Sequence, residues 1–600
     1  MEQHSDLRSY LSRLRREKEL VEIDVPVDPH LELSEIHRRV IAAEGPALLF
    51  TRPTRGDFPV VTNLFGTRKR IDLAFGNRPR ELVERMASLP RELFPPTLRR
   101  LWRQRDLLPA LMRMGTRRGK GSVTEILRTV PDLDSLPALT TWEKDGGPFL
   151  TLPLVYTEDP MGNGHNLGMY RMQVFDDRTC GMHWQIGKGG GYHYHRAEQE
   201  GNALPVNVFL GGPPALILAA VAPLPENVPE LMLASLVAGS RIELSDNPLG
   251  PLPLVASAEF ALVGEVPPNE RRPEGPFGDH YGYYSLQHDY PVFHCRGMLH
   301  RKDAIFPATV VGKPRQEDFH LGDYLQELLA PVFPLVMPAV RDLWSYGETG
   351  YHSLAAAVVR QRYKKEAMAS AFRILGEGQL SLTKFLLVLD ADRDLRDFRG
   401  TFQHVLERFD PAGDLFVFSP LAMDTLDYTG PAVNEGSKGV LLGVGEPVRT
   451  LPRRFEGGLP PGFTRAEVFC PGCLVLSGPT RKQEPEAAAR AARWDDFREW
   501  PLLVLVDDAK SAARSEINFL WTAFTRFEPA ADLYGREVVL RRLHPSFTLP
   551  IALDARLKEG FPEELICDEE TARKVDARWT EYFRGEKVEM GDSDRAHLQG

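Results

Sequence analysis

One cation and three carboxylates, Arg171, Glu230, Glu274 and Asp279, stand out within a single stretch of this chain. They lie on separate segments punctuated by Gly and Pro, the usual way in which polar groups at element ends are gathered into one pocket. Glu274 and Asp279 are separated by Gly275-Pro276-Phe277-Gly278. That spacing is a loop, not a helix face, and its glycines permit turns tight enough to bring both carboxylates to one point. Two close carboxylates beside an arginine can hold one acid protonated and the other ionised, which suits proton transfer. An exposed acidic turn is the plainer reading of the same loop.

Asn166 and Glu230 are oxygen donors of the kind a hard divalent cation takes. Each has an ordinary alternative: Asn166 as a turn residue, Glu230 as the first residue of a helix. Gly187-Lys188-Gly-Gly-Gly191 joins glycines to a cation and would let a phosphate approach the backbone. It lacks the Walker pattern of a nucleotide loop. Tyr192-His-Tyr-His195 offers a metal cluster, but alternate His in a strand share a face only as a pair, and an ordinary structural role is the favoured reading. Cys470-Pro-Gly-Cys473 is a lone CxxC and, without a second pair, reads as two buried thiols. No GxSxG or HExxH occurs, so serine-hydrolase and zinc-peptidase templates find no match.

The scaffold that must position these residues is large. Six hundred residues exceed one hydrophobic core and predict two to four domains. A net charge of −10 and a pI near 6.0 exclude nucleic-acid binding by bulk electrostatics. Five cysteines give no disulfide framework, the polar start has no signal-peptide core, and the most apolar stretch, Pro213–Pro225, is too short to span a bilayer. The expected location is cytoplasmic. Alternating helix and strand patterns predict an α/β domain over 1–135. Its residues 91–120 hold nine Arg or Lys and two acids, interleaved with Leu, Trp102 and Met. That insertion reads either as solvated surface or as an amphipathic basic helix pair for a membrane or acidic partner. Short strands with Gly/Pro turns predict a barrel-like β domain over 136–325. Buried-type strands such as Lys384–Asp390 and Leu503–Asp508 predict an α/β domain over 326–545, followed by an extension, 546–600. No internal repeat is evident.

Together these stretches resemble the UbiD family of reversible decarboxylases of aromatic and acrylic acids, which use prenylated FMN. The likeness runs in order from about residue 5 to 450. Asp6-Leu-Arg-Ser-Tyr-Leu, Val27-Asp-Pro-His-Leu-Glu, Gly45-Pro-Ala-Leu-Leu-Phe and Asn63-Leu-Phe-Gly-Thr resemble that family's N-terminal domain. Asn166–Arg171, Leu210-Gly-Gly-Pro-Pro-Ala, Pro225–Glu230 and Pro273–Tyr284 resemble its central domain. Thr383-Lys-Phe, Asp410-Pro and Gly436-Ser-Lys-Gly439 resemble its C-terminal domain. The resemblance implies a mixed α/β and β multidomain fold: an N-terminal α/β part, a central split β-barrel like that of flavin reductases, and a C-terminal α/β domain used for oligomerisation.

Roles follow position by position. The resemblance makes Arg171, Glu274 and Asp279 the catalytic network, with Arg171 gripping the substrate carboxylate, Glu274 protonating the carbon and Asp279 orienting Arg171. It places the cofactor against Asn166, Gly168, Met169, Tyr170, Arg171, Gly187, Lys188 and Lys438. It makes Asn166 and Glu230 ligands of a divalent metal, usually manganese, with K+ as a further ion. The family's third metal ligand is a His where this chain has Gly187. His183 or His193 substitutes for it, or Lys188 helps hold the phosphate, or the metal site is weakened.

Further partners implied are a flavin prenyltransferase that supplies the cofactor, other copies of the chain, and an aromatic acid substrate. The motifs and length are most similar to quinone-pathway members, the menaquinone branch in particular, which act on polyprenylated hydroxybenzoates or naphthoates. On that reading the 91–120 insertion makes peripheral contact with the inner face of a membrane. Two alternatives remain: a flavin-binding subunit with altered catalysis, and a plain-FMN oxidoreductase on the same barrel.

Overall fold

Asp6 opens the first helix, α1 (Leu7–Arg16), by accepting the Ser9 N–H at 2.8 Å, while Leu7, Tyr10, Leu11 and Leu14 bury one stripe of it. The computed structural model describes residues 4–592 apart from 96, 106–108, 110, 111, 163, 185–188, 225–227 and 314. These residues form two compact units, one of residues 1–328 with 564–596 and one of 329–563. The segments expected as N-terminal domain and barrel share the first unit.

In the first unit, β1 (Leu20–Ile23) runs parallel to β2 (Ala47–Phe50), with α2 (Glu32–Ala42) as the crossover. β3 (Val60–Thr62) lies antiparallel to β2 and parallel to Phe306–Pro307. Two helices, α3 (Arg78–Leu93) and α4 (Leu98–Arg103), carry the first part of the basic insertion. The barrel strands are β4 (Leu154–Glu158), β5 (His165–Met169), β6 (Met172–Val174), β7 (Thr179–Met182), β8 (Leu204–Leu210), β9 (Phe260–Val266), β10 (Arg271–Glu274) and β11 (His288–His300). They follow the antiparallel order β6-β7-β11-β9-β8-β4-β5, with β10 on β11, and curl into the expected half-barrel.

Three helices interrupt the strands: α5 (Gly189–Gln199), α6 (Pro214–Val221) and α7 (Glu230–Ala238). The helix α5 corrects the strand reading of Tyr192–His195. At helical spacing His193 turns inward, where its Nδ1 meets Thr157 Oγ1 at 2.9 Å, and His195 turns outward. The period-2 pattern of Tyr and His was shared by chance with one helical turn.

The second unit contains two five-stranded sheets. One is built from β12 (Val340–Ser345), β13 (Leu354–Val359), α8 (Glu366–Ile374), β14 (Phe385–Leu389), α9 (Phe398–Arg408), β15 (Leu415–Ala422) and β16 (Glu435–Gly443). The other uses β17 (Arg465–Cys470), β18 (Cys473–Ser477), α10 (Ala487–Arg493), β19 (Leu502–Val506), α11 (Ala509–Arg514), α12 (Glu516–Arg526), β20 (Leu533–Gly535), the hairpin β21 (Val538–Arg541) with β22 (His544–Phe547), and β23 (Ile551–Asp554). The two sheets share one strand order. Cys470 and Cys473 face one another across the β17–β18 turn as buried free thiols, as expected. The chain ends in α13 (Glu569–Tyr582), which packs on α2 in the first unit.

Candidate active site

Arg171 occupies the turn between β5 and β6, where an element end delivers a side chain into the curl of the sheet. Its Nε donates to Glu274 Oε1 at 2.8 Å, and one Nη2 hydrogen reaches Glu274 Oε2 at 3.1 Å. Another Nη2 hydrogen reaches Ser285 Oγ at 2.9 Å, and Nη1 bonds Asp279 Oδ2. Four of the roughly five donors of a guanidinium are thus engaged. The ring of Phe277 covers the guanidinium at 4.7 Å. Sequence spacing brought Arg171, Glu274 and Asp279 forward, and the structure joins all three.

The loop between the two acids is held from several sides. Glu274 ends β10, and Gly275 turns the chain at φ +94°, a left-handed value that favours glycine. Gln173 Oε1 accepts the Gly275 N–H and Asp145 Oδ1 accepts that of Gly278, both at 2.8 Å. A side chain at Gly278 would meet Trp142 at 2.0 Å. The segment after residue 563 returns to brace the same loop. Leu565 N–H donates to Gly282 O at 3.0 Å, Glu564 bridges Tyr283 and pairs with Lys313, and Leu565 packs with Trp142 and Tyr284.

Burial would push the Glu274 carboxyl up, but the Arg171 charge and the His183 hydrogen bond more than offset it and hold it down at about 2. Asp279 is likewise held below its ordinary range against burial, by the hydrogen bond from His280 and by Arg171. Burial and the nearby Arg171 lower His183, so that it is neutral at pH 7. Its Nδ1 lies 3.0 Å from Glu274 Oε2, and its ring lies against Tyr290. His183 therefore belongs to the surroundings of the acid. His183, Ser285, Phe277 and His280 are the site residues that spacing did not assign to this network.

A second group of residues gathers around β5 and the start of α5. Asn166 is buried, and among the described residues its Nδ2 has no hydrogen-bond partner; the same holds for Trp184 Nε1. Glu230 is the first residue of α7. It accepts the Leu167 N–H at 3.0 Å, and burial raises its carboxyl above the ordinary range. Tyr170 closes over Gly168, where a Cβ would meet its ring at 2.4 Å, and burial pushes its phenol up to about 12. The Gly190 N–H points at the Tyr170 hydroxyl at 3.3 Å, and a Cβ on Gly189 would meet Asn166 Oδ1 at 2.1 Å. Met169 is half-buried beside them. Buried donors without partners next to a glycine-built helix N-terminus suit an acceptor-rich phosphate.

Gly187 and Lys188 lie outside the described residues. Among those described, no group of three or more His, Cys, Asp or Glu could hold a metal ion. Asn166 and Glu230 alone fit a cation whose shell a phosphate and water complete. Lys438 lies in the second unit, where its ammonium donates to Thr383 O at 2.9 Å and burial lowers it to about 8.

A buried arginine is thus clasped by two carboxylates inside a curled half-barrel, and comparison with known proteins gives the protein's class. Three family descriptions match in chain order: the 3-octaprenyl-4-hydroxybenzoate carboxy-lyase N-terminal domain over residues 11–89, its Rift-related domain over 116–314 and its C-terminal domain over 319–443. A Chlamydia pneumoniae protein named as a 4-hydroxybenzoate decarboxylase subunit is 49% identical over 580 residues, 96% of this chain and 98% of that protein. An uncharacterised Archaeoglobus fulgidus protein is 39% identical over 440 residues, 72% of this chain and 90% of its own length.

Among solved structures, the closed form of Sedimentibacter hydroxybenzoicus vanillic acid decarboxylase has a TM-score of 0.66 at 23% identity, covering 77% of this chain and 97% of that one. The Pelotomaculum thermopropionicum enzyme HmfF, in complex with FMN, has a TM-score of 0.60 at 22% identity, covering 76% and 98%. The protein is a carboxy-lyase. It belongs to the UbiD family.

Proposed function

We propose that this protein removes CO2 from an aromatic carboxylic acid with the help of prenylated FMN, the acid being a hydroxybenzoate or hydroxynaphthoate of quinone biosynthesis. The observation that carries the reading is Arg171 clasped by Glu274 and Asp279 beside the unpartnered donors around Asn166. HmfF has been solved in complex with prFMN, and the Chlamydia pneumoniae relative bears a 4-hydroxybenzoate decarboxylase name. Asn166, Gly168, Met169, Tyr170 and Glu230 would hold the cofactor and the divalent cation on its phosphate. When bound, prenylated FMN supplies the electron sink that no side chain offers for charge left on an sp2 carbon.

The chain's own residues do the rest. The substrate carboxylate enters beside Arg171 and competes with Glu274 for the guanidinium. Glu274, buried and deprived of part of that charge, takes up a proton from solvent, because burial is then the larger influence on it. Asp279 keeps its own bond to Arg171 and holds the guanidinium in place. Once CO2 has left, Glu274 gives its proton to the carbon and returns to the ionised state paired with Arg171. Neutral His183 keeps its hydrogen bond to Glu274 Oε2, which orients the carboxyl for this transfer.

The basic insertion fits a lipid-tailed substrate held at a membrane. Phe94, Leu98, Trp102 and Met112 are all largely exposed there among arginines. Among the described residues no helix is long and apolar enough to cross a membrane.

The test is co-expression with a flavin prenyltransferase, followed by the absorbance spectrum and mass of the released cofactor and assay of CO2 release from hydroxybenzoates and hydroxynaphthoates. Prenylated FMN with CO2 release is the expected result. Plain FMN with NAD(P)H turnover and no CO2 would refute the reading in favour of an oxidoreductase.

A further inference from the structure

The two sheets of the second unit are built to one plan. Their orders, β12-β13-β14-β16-β15 and β17-β18-β19-β23-β20, match position for position. In each, the outer pairs are antiparallel and the two inner steps are parallel. Registers match as well. Leu354, Phe385 and Gly439 lie opposite one another in the first sheet, and Cys473, Leu502 and Ile551 in the second.

A shared strand order can arise independently, but shared detail is harder to explain that way. Asp397 caps α9 by accepting Gly400 N–H at 3.0 Å, and Ser515 caps α12 by accepting Asn518 N–H at 3.1 Å, at positions offset equally (397 to 515, 400 to 518). Each helix runs into one octapeptide, Arg408-Phe-Asp-Pro-Ala-Gly-Asp-Leu415 or Arg526-Phe-Glu-Pro-Ala-Ala-Asp-Leu533. Six of the eight positions are identical, and the other two exchange Asp for Glu and Gly for Ala.

The octapeptides also fold alike. Asp414 Oδ2 accepts Asp410 N–H at 2.9 Å, and Asp532 Oδ2 accepts Glu528 N–H at 2.6 Å. Asp414 O accepts Leu442 N–H and Asp532 O accepts Asp554 N–H, both at 2.9 Å. Leu442 and Asp554 each stand three residues beyond the matched Gly439 and Ile551.

The repeats meet through equivalent surfaces. α9 faces α12, with Phe402 at 6.0 Å from Phe519 and Phe398 at 6.1 Å from Phe524. Each acid-Pro turn touches the other repeat, the first against the β21–β22 hairpin and the second against β16. Phe547 N–H donates to Pro411 O at 3.1 Å, while Ala530 N–H donates to Ser437 Oγ at 2.9 Å and Ser437 donates to Glu528 at 3.0 Å. This two-way exchange is what a two-fold contact between identical subunits produces. The copies have nonetheless diverged in polarity. Lys384 and Lys438, both buried, precede Phe385 and Gly439, whereas Pro501 and Pro550 precede Leu502 and Ile551. The second copy keeps the fold and the docking face but not the lysines.

We propose that residues 465–554 are a duplicate of residues 340–443 that acts as a built-in partner. It covers the α9 face in cis. The second unit is a covalent pseudodimer, and this face takes no part in association between chains.

The test uses the full chain with protease sites inserted at two exposed positions, 445/446 and 559/560, so that cutting frees the second copy from every covalent link. Light scattering and native mass spectrometry then report whether it stays bound. One-to-one retention at micromolar concentration is expected. Asp substitutions at the matched positions Phe402 and Leu520, both buried, weaken retention by at least about thirty-fold each, as for central interface residues. The two effects agree within about tenfold, because a two-fold contact makes the positions equivalent. Uncut F402D and L520D keep the wild-type circular dichroism, since linkage supplies a high local concentration. If either loses it, F402A and L520A replace them. Dissociation of the cut wild-type protein would overturn the proposal, and so would unequal effects at the two positions.

Discussion

Replacing Arg171 with Met removes the charge that holds Glu274 ionised while keeping most of the side-chain volume. In the native protein burial pushes the Glu274 carboxyl up, yet Arg171 and His183 hold it at about 2. With the guanidinium gone, burial is the larger influence, and the midpoint rises to the ordinary 4.5 or above. At roughly 1.4 kcal/mol per pH unit, that is at least about 3 kcal/mol of interaction, in line with breaking a buried pair. The assay is infrared difference spectroscopy between about pH 7 and about pH 3, following the C=O stretch of a neutral carboxyl. The band is assigned to Glu274 by its absence in R171M/E274Q. In R171M the band should be half-developed at or above 4.5, while the wild-type protein should show none there. An R171M protein that stays folded and whose Glu274 band still develops only near the native value would refute the claim that Arg171 sets the ionisation of this acid. Decarboxylation by R171M should fall by about a hundred- to a thousand-fold, the kinetic equivalent of losing a charge-assisted bidentate contact.

E274Q should retain bound flavin, seen in its absorbance spectrum, while losing nearly all turnover, because the amide carries no proton of suitable acidity. The folded-state pKa of Glu274 is depressed, so the stability it contributes is present above about 4.5 and is lost as pH falls towards about 2. The acid limb of a thermal-melting series should accordingly flatten in E274Q and remain unchanged in a surface Glu-to-Gln control. Valine at Gly189 should abolish flavin binding with little loss of melting temperature, since its Cβ would push Asn166 out of place; flavin absorbance per chain measures this. Trp102→Glu should reduce co-sedimentation with anionic vesicles, and added salt should weaken whatever binding remains.

The two acids Glu274 and Asp279 could be read from the sequence because their signal is local. A glycine-proline loop with two carboxylates allows few geometries, and Arg171 stands at an element end. His183 and Ser285 could not be read the same way. His183 reaches Glu274 across 91 positions and Ser285 reaches Arg171 across 114, and only the pairing of β7, β10 and β11 brings them close. Tyr192–His195 misled because a four-residue pattern fits two periods. The duplication escaped notice for another reason: buried positions tolerate exchange of large apolar residues, so Phe385 and Leu502, or Phe402 and Leu520, hold equivalent places without looking alike. Only the octapeptide, whose carboxylate must cap its own turn, kept its letters.

The return of residues 564–565 to the Gly282–Tyr283 turn fixes an order of events during synthesis. The strands that carry the Asp279 loop are complete once β11 has been made, but the brace on that loop is encoded far later, after the whole second unit. A chain extended only through the second unit therefore still lacks one edge of its acid loop. The loop that pairs with Arg171 is therefore braced by a segment made only after the second unit.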